Sequence, residues 1–157
     1  MSARGIRRLI ILLIGVALIT ALAAGGIVLR RQARDRALLE SREEGIRLAE
    51  SGEYAAGLDL LGPYVARYRG DEKALLAYAE CRLNMPLPNA RHLASATSAV
   101  RQASEANPSS IAPLEFLIVV YAATEQRTEL LSACERALGI DPAFEAALDA
   151  RVFGLIR

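Results

Sequence analysis

His92 is the only histidine among 157 residues, so a Ser-His-Asp or Cys-His nucleophilic arrangement would have to be built on it. It follows the loop-forming segment NMPLPNA, residues 84–90, near the start of a helix and away from either cysteine, which suits a surface histidine. Cys81 and Cys134 stand 53 residues apart, which excludes the CxxC spacings of zinc and redox sites. Cys134 falls on a core-facing helix position, where a thiol acts as a small apolar group; in an exported domain these two thiols could form one disulfide. Gly25-Gly26 lies inside an apolar run and cannot serve as a phosphate loop, which needs a strand before it and a helix after it. The paired acids Glu43-Glu44 and Asp71-Glu72 fall on exposed or turn positions and read as solvated charge or helix caps. The residue types thus assign no catalytic, cofactor-binding or metal-binding position, and the chemistry left to the chain is recognition.

Recognition needs a surface, and the charge distribution says where that surface is. Residues 1–36 hold seven arginines against one aspartate, a balance of +6, whereas residues 37–157 hold twelve bases against seventeen acids, a balance of −5. An acidic domain argues against nucleic acid, whose phosphates need clustered Lys and Arg. Between the basic tail, residues 1–8, and Arg30-Arg31 lies Leu9 to Leu29, a run of 21 residues without a charge. As a helix it would span about 31 Å, the thickness of a bilayer's hydrocarbon core, and it is expected to be a transmembrane helix. Residues 30–37 continue as a charged juxtamembrane helix into a domain covering residues 38–157. Export of a short tail with three arginines is disfavoured, which puts the N-terminus in the cytoplasm and the domain in the periplasm of a bacterial inner membrane. The alternatives are a cytoplasmic domain, or a signal peptide cleaved after Ala21-Leu22-Ala23 with soluble export.

The domain is organised by a repeat. Asn107-Pro108 and Asp141-Pro142 lie 34 residues apart and bracket two amphipathic helices, Ile111 to Thr124 and Glu125 to Leu138, with apolar residues at helical spacing. Extending the period backwards aligns Gly45, Gly52-Glu53-Tyr54, Gly57, Leu58 and Leu61 in a first unit and Leu75, Tyr78 and Ala79 in a second. The second helix of the middle unit, Asn89 to Ala106, is displaced by five residues, which places an enlarged loop at Asn84 to Ala90. In these small and apolar positions the domain resembles the tetratricopeptide repeat (TPR) family. The resemblance implies an all-α fold of about three antiparallel helical hairpins plus one terminal helix, stacked as an α-solenoid. The core would be set by Leu61, Ala79, Ala103, Leu117, Tyr121 and Ala137.

Stacked hairpins of this kind line a groove with their first helices and bind protein or peptide segments there. In this register the groove positions are Arg42, Ile46, Lys73, Leu76, Glu80, Leu83, Glu115 and Val119. The Lys and Asn side chains with which some family members clamp a carboxylate are missing. After Pro142 a further first helix begins, with Phe153 and Ile156 beside its packing face; either the array continues past Arg157 or these two residues complete a contact with another molecule or a second copy. The expected function is a membrane-tethered interaction scaffold without catalytic activity, the alternative being an accessory subunit of an envelope enzyme complex. Alkaline carbonate extraction checks the anchor: the chain should stay in the membrane pellet, and complete release with a new N-terminus near Ala24 would identify a cleaved leader instead.

Overall fold

The computed structural model describes residues 35–156, with side chains described to residue 152. The expected transmembrane helix, residues 9–29, the tail, residues 1–8, and most of the juxtamembrane segment lie outside them. Cα packing separates Met1–Leu39 from Glu40–Arg157, and the helices below are those of the second unit, with α1 contributing from Glu40 onward. Seven α-helices occur among the described residues: α1 at residues 35–50, α2 Tyr54–Arg67, α3 Glu72–Leu83, α4 Arg91–Ala106, α5 Ala112–Ala123, α6 Arg127–Ile140 and α7 Glu145–Ile156. A short 3-10 turn, Pro88–Ala90, precedes α4. No strand occurs among the described residues. Successive helices pack on one another from α2 to α7, and α5 also touches α7. This is the stacking pattern of helical hairpins.

Each helix buries one stripe of small and branched residues. Leu61, Ala79, Val100, Ala103 and Ala137 are fully enclosed, and Leu117 and Tyr121 are 2–3% exposed, so the core register expected from the 34-residue period is the one observed. Small residues let the helices approach closely. A Cβ added at Gly45 would stand 2.8 Å from Cγ of the buried Leu61, and one at Gly57 would stand 3.0 Å from Sγ of Cys81. Cys81 and Cys134 are free, buried thiols, so the disulfide considered above is not formed. Burial, the main cause, raises the pKa of both and keeps them protonated. Pro63 removes one backbone donor, yet α2 runs unbroken through it.

The turns explain where the helices start. After α1, the Glu53 N–H donates to the Leu48 carbonyl and the Gly52 N–H to Ala49, with Gly52 at φ +83°. This is the hydrogen-bond pattern of a helix end closed by a left-handed residue. After α5 the same pattern recurs, Gln126 N–H to Tyr121 and Glu125 N–H to Ala122, with Glu125 at φ +56°. Glu125 therefore ends one helix rather than starting the next, and α6 begins at Arg127, two residues later than its apolar spacing predicts. The middle unit differs. Asn89 and Ala90 are both left-handed, at φ +57° and +53°, so α4 starts at Arg91 instead of Asn89, and residues 84–90 form the enlarged loop. The Leu87 N–H donates to Nδ1 of His92 at 3.1 Å, which gives that imidazole a loop-closing role.

Hairpins are also fastened to one another. Glu72, the first residue of α3, accepts hydrogen bonds from Asn107 Nδ2 at 2.8 Å and from the Ser110 hydroxyl, joining the start of one unit to the turn that opens the next. Ser104, buried to 2% exposure, accepts from Nη2 of Arg136 at 2.6 Å, and Arg101 Nε donates to the Tyr121 hydroxyl at 2.9 Å.

Two glycine exchanges should move stability in opposite directions. Glu125→Gly relieves a left-handed non-glycine residue and should stabilise by up to about 1 kcal/mol. Gly45→Ala, although alanine favours helix by about 1 kcal/mol, overpacks against Leu61 at a cost of about 1–3 kcal/mol and should lower the melting temperature. Urea denaturation of both variants is the measurement, and a stabilised Gly45→Ala would refute the close approach of α1 and α2.

Candidate functional site

The eight groove positions divide into three groups. Leu83, Glu115 and Val119 come together: with Ala112, Phe116 and Val120 they line a cavity of about 280 Å³ between α3 and α5. Leu83 and Phe116 are half-buried against the core, while Val119 is 63% exposed. Glu80 lies one turn before Leu83 on α3, and its side chain is exposed. Ala112, Phe116 and Val119 follow one another at four- and three-residue spacing along α5. That stripe could have revealed Phe116 and Ala112, which the sequence reading passed over.

Leu76 packs partly into the core and Lys73 reaches outward, its Nζ 3.9 Å from Glu50. They flank the first turns of α3 and do not enter the cavity.

Arg42 and Ile46 are corrections. Ile46 is only 5% exposed and is a packing residue of α1, so it offers nothing to a partner. Arg42 is held by Asp71: Nε donates to Oδ2 at 2.5 Å and Nη2 to Oδ1 at 3.2 Å, and a second contact joins it to Glu43. The same carboxylate accepts the Tyr64 hydroxyl at 2.8 Å and the Ala74 N–H at 3.1 Å, capping α3. One aspartate thus ties together side chains from α1 and α2 and the backbone of α3. Burial alone would raise the Asp71 pKa, but hydrogen bonds from Arg42, Ala74 N–H and Tyr64, with the charge of Arg42, outweigh it and hold the carboxyl below its ordinary value. The hydrogen bond to Asp71 likewise keeps Arg42 firmly protonated. Burial and then the bond to Asp71 push the Tyr64 phenol up.

A larger trough of about 940 Å³ runs along the other side of α4, lined among others by Arg69, Thr97, Arg101, Gln102 and Glu105. Its lining is mixed in charge, and Gln102 Nε2 is already bonded to the Arg69 carbonyl. No group of three or more His, Cys, Asp or Glu side chains suited to a metal occurs among the described residues. On α7, Leu148 and Val152 are 42% and 57% exposed, although Leu114 and Ile118, 34 residues earlier, are buried to 1–3%. The side chains of Phe153 and Ile156 lie outside the described residues.

Asp71→Asn should reduce stability near neutral pH by about 1–2 kcal/mol, through a weaker cap and a lost ionic hydrogen bond. Because the folded pKa is depressed, the carboxylate's contribution is complete above the unfolded value of about 3.9 and is lost as pH falls through the lower folded value. Denaturant titrations at several pH values should therefore show the gap between wild type and Asp71→Asn closing below about pH 4; a gap of constant size would mean that the network does not stabilise the ionised form.

Comparison with solved structures agrees on the fold. The first TPR of Spaghetti (RPAP3), solved bound to the HSP90 peptide SRMEEVD, superposes with a TM-score of 0.63 at 17% identity, over 76% of this chain and 91% of that one. A crystal structure of MamA superposes with a TM-score of 0.68 at 15% identity, over 78% of this chain and 69% of its own. No protein-family model matches the sequence, and no curated protein sequence does. At these identities the likeness is one of architecture: residues 40–156 form a TPR-like stack of helical hairpins.

Proposed function

We propose that this chain is an interaction scaffold, held in a membrane by residues 9–29, that receives a segment of a protein partner in the cavity between α3 and α5 and performs no chemistry of its own. The carrying observation is the apolar cavity of about 280 Å³ bordered by Val119, the most exposed of the large apolar side chains among the described residues. A bulky aliphatic or aromatic side chain fits a space of that size. The RPAP3 repeat domain, of similar architecture, is described with a bound peptide, which supports reading the first-helix side as a peptide surface here. That peptide contains Glu-Glu-Val-Asp; without a Lys and Asn clamp on its groove helices, this chain would not hold such a terminus in the same way.

The tether rests on the uncharged run Leu9 to Leu29; with arginines at both ends, it is the disfavoured export of a short tail with three arginines, and the acidic balance of the domain that follows, that favour a cytoplasmic tail with the repeats in a bacterial periplasm. Among the described residues no helix is long and apolar enough to cross a membrane, and the run Leu9 to Leu29 lies outside them.

Photo-crosslinking from position 119 in native membranes tests the reading. A photoreactive residue replacing Val119 should give discrete adducts, whereas one replacing Glu105, exposed on α4, should not. Equal labelling from both positions, or none from position 119, would sink it.

A further inference from the structure

The charges around the α3/α5 cavity restrict what can enter it. Glu115 lines the cavity, and Glu80 stands one turn from Leu83 on the same face of α3. Among the described residues neither carboxylate is within ion-pair distance of a cation; pairs that do form include Arg42 with Glu43 and Asp71, Arg47 with Glu44, and Lys73 with Glu50. Three cations on α1 and α3 make their contacts with other groups. Arg42 is bound to Asp71 and Lys73 faces Glu50. Arg82, next to Leu83, donates from Nε to the Tyr78 hydroxyl at 2.8 Å, and its guanidinium carbon sits 5.1 Å from that ring's centroid. Helix α5 contains no Lys or Arg. Among the described residues the apolar cavity is thus bordered by two carboxylates that form no ion pair, with the Arg82 guanidinium held at the Tyr78 ring rather than against either of them.

We infer that the occupant is a cationic, apolar segment of a protein partner, with a bulky apolar side chain seated among Leu83, Phe116 and Val119 and Lys or Arg residues beside it facing Glu80 and Glu115. The inference rests on the cavity being the binding site and adds the sign of the partner. Exposed acids of this kind steer association and select against like-charged segments more than they add affinity. An acidic segment would bring its charges against both carboxylates, and a neutral one would leave them unpaired.

Peptides selected from a random library on the immobilised full chain, held in non-ionic detergent and counter-screened on Val119→Ser, test this. Position 119 is exposed, so that variant keeps its fold, as circular dichroism should verify. Peptides whose binding depends on Val119 should carry a bulky apolar residue flanked by Lys or Arg. They should bind the Glu80→Gln/Glu115→Gln double variant roughly three- to tenfold more weakly at low salt, with the preference fading as salt rises. Val119-dependent peptides with neutral or acidic flanks, indifferent to the double variant, would overturn the charge inference and leave the groove standing. Recovery of no Val119-dependent peptide would overturn the groove and the inference together.

Discussion

Spacing between neighbouring helices in this molecule is set by residues with little or no side chain. Gly45 faces Leu61 at a distance where one extra carbon would collide, and Gly57 does the same toward Cys81. Further along the stack the contact positions are alanines, among them Ala79, Ala96, Ala103, Ala133 and Ala137. Protein interiors tolerate neither voids nor overlap, so these small residues decide how deeply Leu61, Leu75, Val100 and Leu117 can interlock. Everything else is hung on that spacing. Asp71 can reach α1, α2 and α3 at once only because those helices are close, and the cavity beside Val119 exists where α3 and α5 leave a gap that their side chains do not fill.

The period and the core were legible in the sequence because both are consequences of hydrophobic spacing. Leu61, Ala79, Ala103, Leu117, Tyr121 and Ala137 were recoverable from a 34-residue rhythm without any coordinates. Helix starts were less legible, since apolar periodicity carries no information on the sign of φ at a turn. Gly52 announces its left-handed conformation; Glu125, Asn89 and Ala90 adopt the same region without a glycine to mark it. Two groove residues were misplaced for separate reasons. Ile46 lies a fraction of a helical turn toward the core, an error that any register read from periodicity can make. Arg42 is engaged by a partner 29 residues away, and no local pattern signals that Asp71 will be close. Leu83, Glu115 and Val119, three of the eight groove positions, do line one cavity, because there helix phase alone is decisive.

Charge in this domain is used in two ways. Asp71 with Arg42 and Tyr64 is partly enclosed and saturated with hydrogen bonds, so it serves geometry. Glu80 and Glu115 are open to water and, among the described residues, form no ion pair. Composition cannot separate the two, because both contribute to the same acidic balance. The difference appears only when the partners are located in space.

Glu72 sits at the first turn of α3 and grips Asn107 and Ser110, the residues at the turn that opens the next hairpin. A clasp of this kind fixes the angle at which one hairpin follows another. A stack whose joints were free would have to stiffen around each arriving segment and lose affinity to that ordering. With this joint fastened, α3 and α5 are held in a set relation, and a segment of the kind proposed above would meet an outline already fixed.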